Sequence, residues 1–158
     1  MALRKNTALT AHIVDTAGRL FYSEGTRAIG IERIIAESGI AKATLYQHFG
    51  GKEDLIVAYL ENRHAHVIEG IRSNLLCSNA SLVERVMHVF RLLEHKASSD
   101  EEFRGCAFLM AVSEHGSNAR IVGVAQRHKA AVREIFLSLL PAPSTGREAL
   151  ADQLSLLY

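Results

Sequence analysis

The feature that most constrains this chain is the position of its prolines. Its two prolines are Pro141 and Pro143, and the 140 residues before them contain none. Proline removes a backbone donor and breaks helices, so a long stretch without it leaves helices uninterrupted. Along that stretch apolar residues recur at spacings of three and four, the pattern of helices that bury one face. The expected fold class is therefore all-α.

Glycines and polar clusters divide the pattern into helices. Ile13, Ala17, Leu20 and Phe21 mark a helix over residues 6–24, with Gly25 placed to end it. Ile31, Ile34 and Ile35 mark a short second helix, stopped by Ser38-Gly39, and residues 42–48 form a third, stopped by Gly50-Gly51. The link between the second and third is Gly39, Ile40 and Ala41, the length of a helix-turn-helix turn. A long helix then runs from Lys52 to Leu76 on a stripe of Ile56, Leu60, Val67, Ile71 and Leu75. Ser81-Leu82-Val83-Glu84 is a capping box that opens a fifth helix. After a polar break at 98–102, residues 105–114 form a short apolar helix closed by Gly116, and residues 118–140 a long one with His128 in its stripe. A second capping box, Thr145-Gly146-Arg147-Glu148, is expected to launch the last helix. Its stripe of Leu150, Leu154 and Leu157 is still running at Tyr158, so the chain is expected to be truncated at that end.

Charge and motif content narrow the function. Residues 1–52 hold seven Lys and Arg against four Asp and Glu, within a chain whose overall charge is +1. The N-terminal third is thus the anion-facing part. No run of about 18 apolar residues suggests a membrane span, and the first residues lack the apolar core of a secretory signal. Cys77 and Cys106 read as free thiols in a reducing compartment, which places the protein in the cytoplasm. No phosphate loop, no Gly-x-Ser-x-Gly and no acid–base spacing is present, so no catalytic residue, cofactor or enzymatic activity is expected. His64 and His66 are two apart and point away from each other on a helix, so no metal site is expected either.

The third helix carries the most specific signal. On a helical wheel Leu45 and Phe49 fall together, with Ala41 and Lys42 beside them. Ala43, Thr44 and Gln47 form the opposite side, flanked by Tyr46 and His48. A two-residue apolar anchor thus carries a small polar face suited to a DNA groove. Gln47 has the donor–acceptor pair that matches an adenine edge, and Ala43 or the Thr44 methyl suits a thymine methyl. Tyr46 and His48 are placed to reach sugar-phosphate, and Lys52 adds charge at the start of the next helix. The expected DNA contacts are Lys42, Ala43, Thr44, Tyr46, Gln47, His48 and Lys52.

The stretch LFYSEGTRAIGIERIIAESGIAKATLYQHFGGKEDL resembles the DNA-binding domain of the TetR/AcrR family of transcriptional regulators. The resemblance spans roughly residues 8–56. It implies that residues 42–48 are the recognition helix, with Tyr46 and Lys52 on phosphates and Thr44 and Gln47 facing bases. Three positions depart from the family pattern. Ile29-Gly30 stands where a hydroxyl residue is frequent, Ala41 where a Ser cap is frequent, and Gly50-Gly51 makes a more flexible exit.

The resemblance also implies two domains: a helix-turn-helix domain at 1–51, and a helical ligand-binding and dimerisation domain at 52–158. The implied partners are double-stranded DNA, a second copy of the chain and a small apolar or amphipathic effector. Expected pocket residues are His64, Met87, Phe90, Phe108, Met110 and His128, polar or adaptable groups on apolar faces. The implied function is a dimeric repressor that leaves a palindromic operator when effector binds. Two alternatives stand beside it. One is a thiol-sensing or partner-regulated DNA binder, with Cys106 at a helix start as its sensor. The other is a helical ligand-binding protein whose helix-turn-helix is vestigial.

Overall fold

A computed structural model describes residues 7–76, 80–99, 103–142 and 144–158. Eight helices occupy these residues, and no strand is found among them. Cys77 and residues 100–102 of the polar break at 98–102 lie outside the described residues, while Ser98 and Ser99 are helical.

The first three helices end where the glycines predict. Helix α1 (Thr7–Glu24) stops at Gly25, whose φ is +94° and whose N–H donates to the Phe21 carbonyl at 3.1 Å. Helix α2 (Ile31–Ser38) stops at left-handed Gly39, whose N–H donates to the Ile35 carbonyl. Helix α3 (Lys42–His48) stops at Phe49, which leaves the helix in extended backbone. The departures at Gly30 and Ala41 leave α2 and α3 without a side-chain cap. The Gly50-Gly51 exit, in contrast, is held. The Gly50 N–H donates to Asp54 Oδ2 at 2.9 Å, so close that a Cβ at Gly50 would lie 2.7 Å from that oxygen. A side chain at Gly50 would have to push the Asp54 carboxylate aside and break this bond.

Helix α4 (Lys52–Leu76) opens with Glu53 and Asp54, acids that complement the helix dipole. The Ser81–Glu84 box forms at the head of α5 (Leu82–Ser99): the Ser81 N–H and hydroxyl donate to Glu84 Oε2 at 2.8 and 2.7 Å, and the Glu84 N–H donates back to Ser81 Oγ. Helix α6 spans Ala107–His115 with half-buried Cys106 as its N-cap, a little later than the pattern at 105–114 suggests. Helix α7 (Ala119–Leu139) is capped by Asn118, whose Oδ1 accepts the N–H groups of Arg120 and Ile121.

The second expected capping box does not form. Helix α8 (Arg147–Leu157) has left-handed Gly146 as N-cap with no side-chain cap bond. Glu148 pairs instead with Arg133 of α7, which also holds Asp152 at 2.5 Å. Two carboxylates converging on one guanidinium raise the Arg133 pKa, Asp152 first and Glu148 second. A charged partner outcompetes a cap across one helix turn. Arg147 then ends α7 by donating to the Leu137 and Leu140 carbonyls.

The chain forms two compact units. The first is the described part of Met1–Arg63 together with Cys106–Ala125. Its core gathers Ile13, Phe21, Ile34, Leu45, Leu55 and Ile56 with Phe108 of α6 and Ile121 of α7. Each such side chain contributes roughly 1.5–3 kcal/mol of burial. The second unit is the described part of His64–Gly105 together with Gln126–Tyr158. Ile68 and Ile71 of α4 pack there with Val89 of α5 and Val132, Ile135 and Phe136 of α7. The Phe136 ring stacks on Phe90 at 5.5 Å and meets Tyr158 edge-on at 6.4 Å.

Candidate nucleic-acid interface

Helix α3 is seven residues long, about 10 Å at 1.5 Å per residue. A helix with its side chains is about 10–12 Å across, which matches the roughly 12 Å width of a major groove. Leu45 is fully buried and Phe49 is 8% exposed, so the apolar anchor points inward as its spacing requires. Lys42, Ala43, Tyr46 and Gln47 are exposed, while Thr44 and His48 are half-buried.

Three polar contacts fix this helix and its neighbours. His48 Nδ1 and Thr10 Oγ1 of α1 are 2.7 Å apart. Lys42 Nζ donates to Glu32 Oε1 of α2 at 2.6 Å, and this hydrogen bond, with the Glu32 charge, raises the Lys42 pKa. His12 Nε2–H donates to the Ser38 carbonyl at 3.0 Å and closes the end of α2 against α1. Lys52 is drawn inward: it donates to the Arg27 carbonyl at 3.1 Å, and partial burial lowers its pKa against the opposing pull of Glu114. The structure places six of the seven expected DNA contacts on α3 and the seventh, Lys52, at the start of α4. It also gives Lys42, His48 and Lys52 intramolecular partners that no local pattern announces.

The six expected pocket residues are divided between the two units. Phe108 is 2% exposed inside the core of the first unit, and Met110 is half-buried one helical turn from Cys106 on the same helix. His64, Met87, Phe90 and His128 belong to the second unit, where Met87 is 43% exposed. His64 and His128 do meet: their Nδ1 atoms are 3.2 Å apart with the rings edge to face. One ring must donate and the other accept, so the facing nitrogens share one proton. The second unit has an open groove of about 180 Å³ lined mainly by Val67, Ile71, Leu92 and Leu93, with His66 and Lys96 also on it. None of the six expected residues lines it. The signal for it was present in the α4 stripe, which holds Val67 and Ile71. Among the described residues no group of three or more His, Cys, Asp or Glu is placed to hold a metal ion. Nor is any helix among them long and apolar enough to cross a membrane.

Comparison with known proteins follows the same outline. Residues 13–59 match the family model for bacterial regulatory proteins of the tetR family. The crystal structure of SCO4454, a TetR-family transcriptional regulator from Streptomyces coelicolor, superposes with a TM-score of 0.85 at 33% identity, covering 97% of this chain and 81% of that one. The HTH-type transcriptional activator FasR of Mycolicibacterium smegmatis is 34% identical over 63 residues, which are 40% of this chain and 29% of that protein. The HTH-type transcriptional regulator YxaF of Bacillus subtilis is 27% identical over 103 residues, which are 65% of this chain and 53% of that protein. The chain thus spans about a third to a half of the length of these two curated relatives.

Proposed function

The chain belongs to the TetR family of bacterial regulatory proteins, and from that premise we propose that it is a cytoplasmic transcriptional repressor that binds a palindromic operator as a homodimer. Residues 1–51 carry the DNA contacts, and residues 52–158 carry dimerisation and the effector site. A small apolar or amphipathic effector binds the second region and releases the operator. The relatives above are named as regulators and not as enzymes.

The observation that carries this reading is the orientation of α3. Leu45 and Phe49 are sealed inward, and Ala43, Tyr46 and Gln47 face out on a helix whose width suits a major groove. Gln47 reads a base edge, the small Ala43 lets the backbone come close, and Thr44 lies at the margin of that face. Tyr46 and Lys42 reach phosphates. His48 seats the helix against α1 through Nδ1, and its reach to a phosphate falls to Nε2. Lys52 neutralises phosphate while bracing the turn before α2. A dimer presents two such helices about 34–36 Å apart, or further, to matching half-sites. Effector acts by binding the two spacings unequally and shifting the population. The groove in the second unit, lined mainly by apolar side chains, supports an effector with an apolar body.

The test is selection of a duplex from a random pool by the full chain, followed by titration across salt. Specific binding weakens steeply as salt rises, because phosphate contacts release counterions. Gln47→Ala is expected to relax preference at one position of each half-site, by about 1–3 kcal/mol. Lys52→Ala is expected to weaken random and selected duplexes together, with a further loss on the selected one because Lys52 also braces the turn before α2. Unchanged affinity and preference in both variants would falsify the groove-reading assignment.

A further inference from the structure

We propose that Glu114 is a positioning residue for DNA reading: from α6 it fixes the turn between α1 and α2, and so the pose of α2 and α3, without touching DNA. The inference rests on the DNA-binding reading above. It starts from a residue in a locally unfavourable place. Glu114 stands in the last turn of α6, where the helix dipole disfavours an anion. A residue that breaks a local rule has its reason elsewhere in the fold.

That reason is the turn at residues 25–30. Glu114 Oε2 accepts the Thr26 hydroxyl at 2.5 Å and the Arg27 N–H at 2.6 Å. Glu114 Oε1 lies 2.9 Å from the point where a Cβ on Gly25 would stand, so the carboxylate lies directly against the turn. The Thr26 proton is committed to Glu114, so its oxygen accepts from His115 Nε2–H at 2.9 Å. From the other side Lys52 Nζ donates to the Arg27 carbonyl. Both backbone groups of Arg27 are thus held by side chains, one from α6 and one from α4. Thr26 is 4% exposed, so removing the carboxylate leaves its buried hydroxyl with His115 alone and the turn amide without its charged acceptor.

The consequence reaches the reading helix by a short route. Helix α2 begins four residues after Arg27, and α3 follows it through three residues and the Lys42–Glu32 pair. A displaced turn tilts α2 and carries α3 with it. A small misalignment of a helix meant for base edges removes bidentate contacts and spares most of the phosphate attraction.

The experiment uses the full chain, the duplex selected by wild type, and the variants Glu114→Ala and Glu114→Gln. The expected result is a loss of specific affinity of about ten- to a hundredfold in Glu114→Ala, the range for hydrogen bonds to a charged group. Binding to random duplex and the salt slope stay near wild type, and circular dichroism shows the helices intact at the assay temperature. Glu114→Gln recovers most of the affinity, because one amide oxygen accepts both donors. Amide exchange over residues 25–38 quickens in Glu114→Ala and not in Glu114→Gln. Wild-type affinity in Glu114→Ala overturns the proposal, and so does a loss equal for selected and random duplex. Failure of wild type to select any duplex overturns the regulator reading itself, and this proposal with it, which distinguishes the two.

Discussion

At the scale of single residues, the molecule depends on positions where one atom more or less decides the outcome. Gly25 is the clearest. Its φ of +94° disfavours any side chain, and a Cβ there would press on Glu114. Gly25→Ala is expected to destabilise the first unit by about 1–3 kcal/mol, the range for a residue forced into a sparse backbone region. Denaturant unfolding checks this, and a double variant with Glu114→Ala separates the parts. If strain alone acts, the two losses add; if the contact acts, the pair loses less than the sum. The sequence exposes half of this. Gly25 is legible as a helix stop, because stopping is a matter of neighbours along the chain. Its confinement by a residue 89 positions later is not.

At the scale of elements, helices and caps formed where their local chemistry was complete. Helices α3 and α4 match the expected bounds at 42–48 and 52–76, because apolar spacing and glycine stops both act within a few residues. The two capping boxes differ for a physical reason. Ser81 and Glu84 close on each other. Glu148 has Arg133 within reach and abandons Thr145. Ser81→Ala is therefore expected to cost about 1 kcal/mol, seen as a lower midpoint for unfolding of the second unit. Thr145→Ala is expected to leave that midpoint within about 0.5 kcal/mol, as an exposed site without a specific contact does. Equal losses in the two variants would show that the Thr145 box forms in solution.

At the scale of the whole molecule, the acid limb of stability is set by carboxylates held in charged form. Burial raises the Glu114 pKa, but the hydrogen bonds from Thr26 and Arg27 and the nearby His115 outweigh it and hold it below its ordinary 4.5. Glu84 is lowered chiefly by the Ser81 hydroxyl, then by the Ser81 N–H. A carboxylate depressed on folding stabilises the native state above its unfolded pKa and ceases to do so as pH falls through the folded one. Thermal stability is therefore expected to fall below about pH 4.5. Glu114→Gln should flatten that limb for the first unit. A variant whose acid limb matches wild type would show that Glu114 is held no more tightly folded than unfolded.

The amino-acid sequence by itself determined the helices, their glycine stops, the three-residue link before α3 and the inward set of Leu45 and Phe49. All of these are written in interactions between residues a few positions apart, where chain connectivity has already brought the partners together. Tertiary structure decided that α6 and the start of α7 complete the core around α1 to α4, so that Phe108 became packing. It decided that His64 faces His128, and that Glu114 holds Thr26 and Arg27. Those pairings join residues 64 to 88 positions apart. Many helix arrangements satisfy the same stripes, and only close packing selects among them.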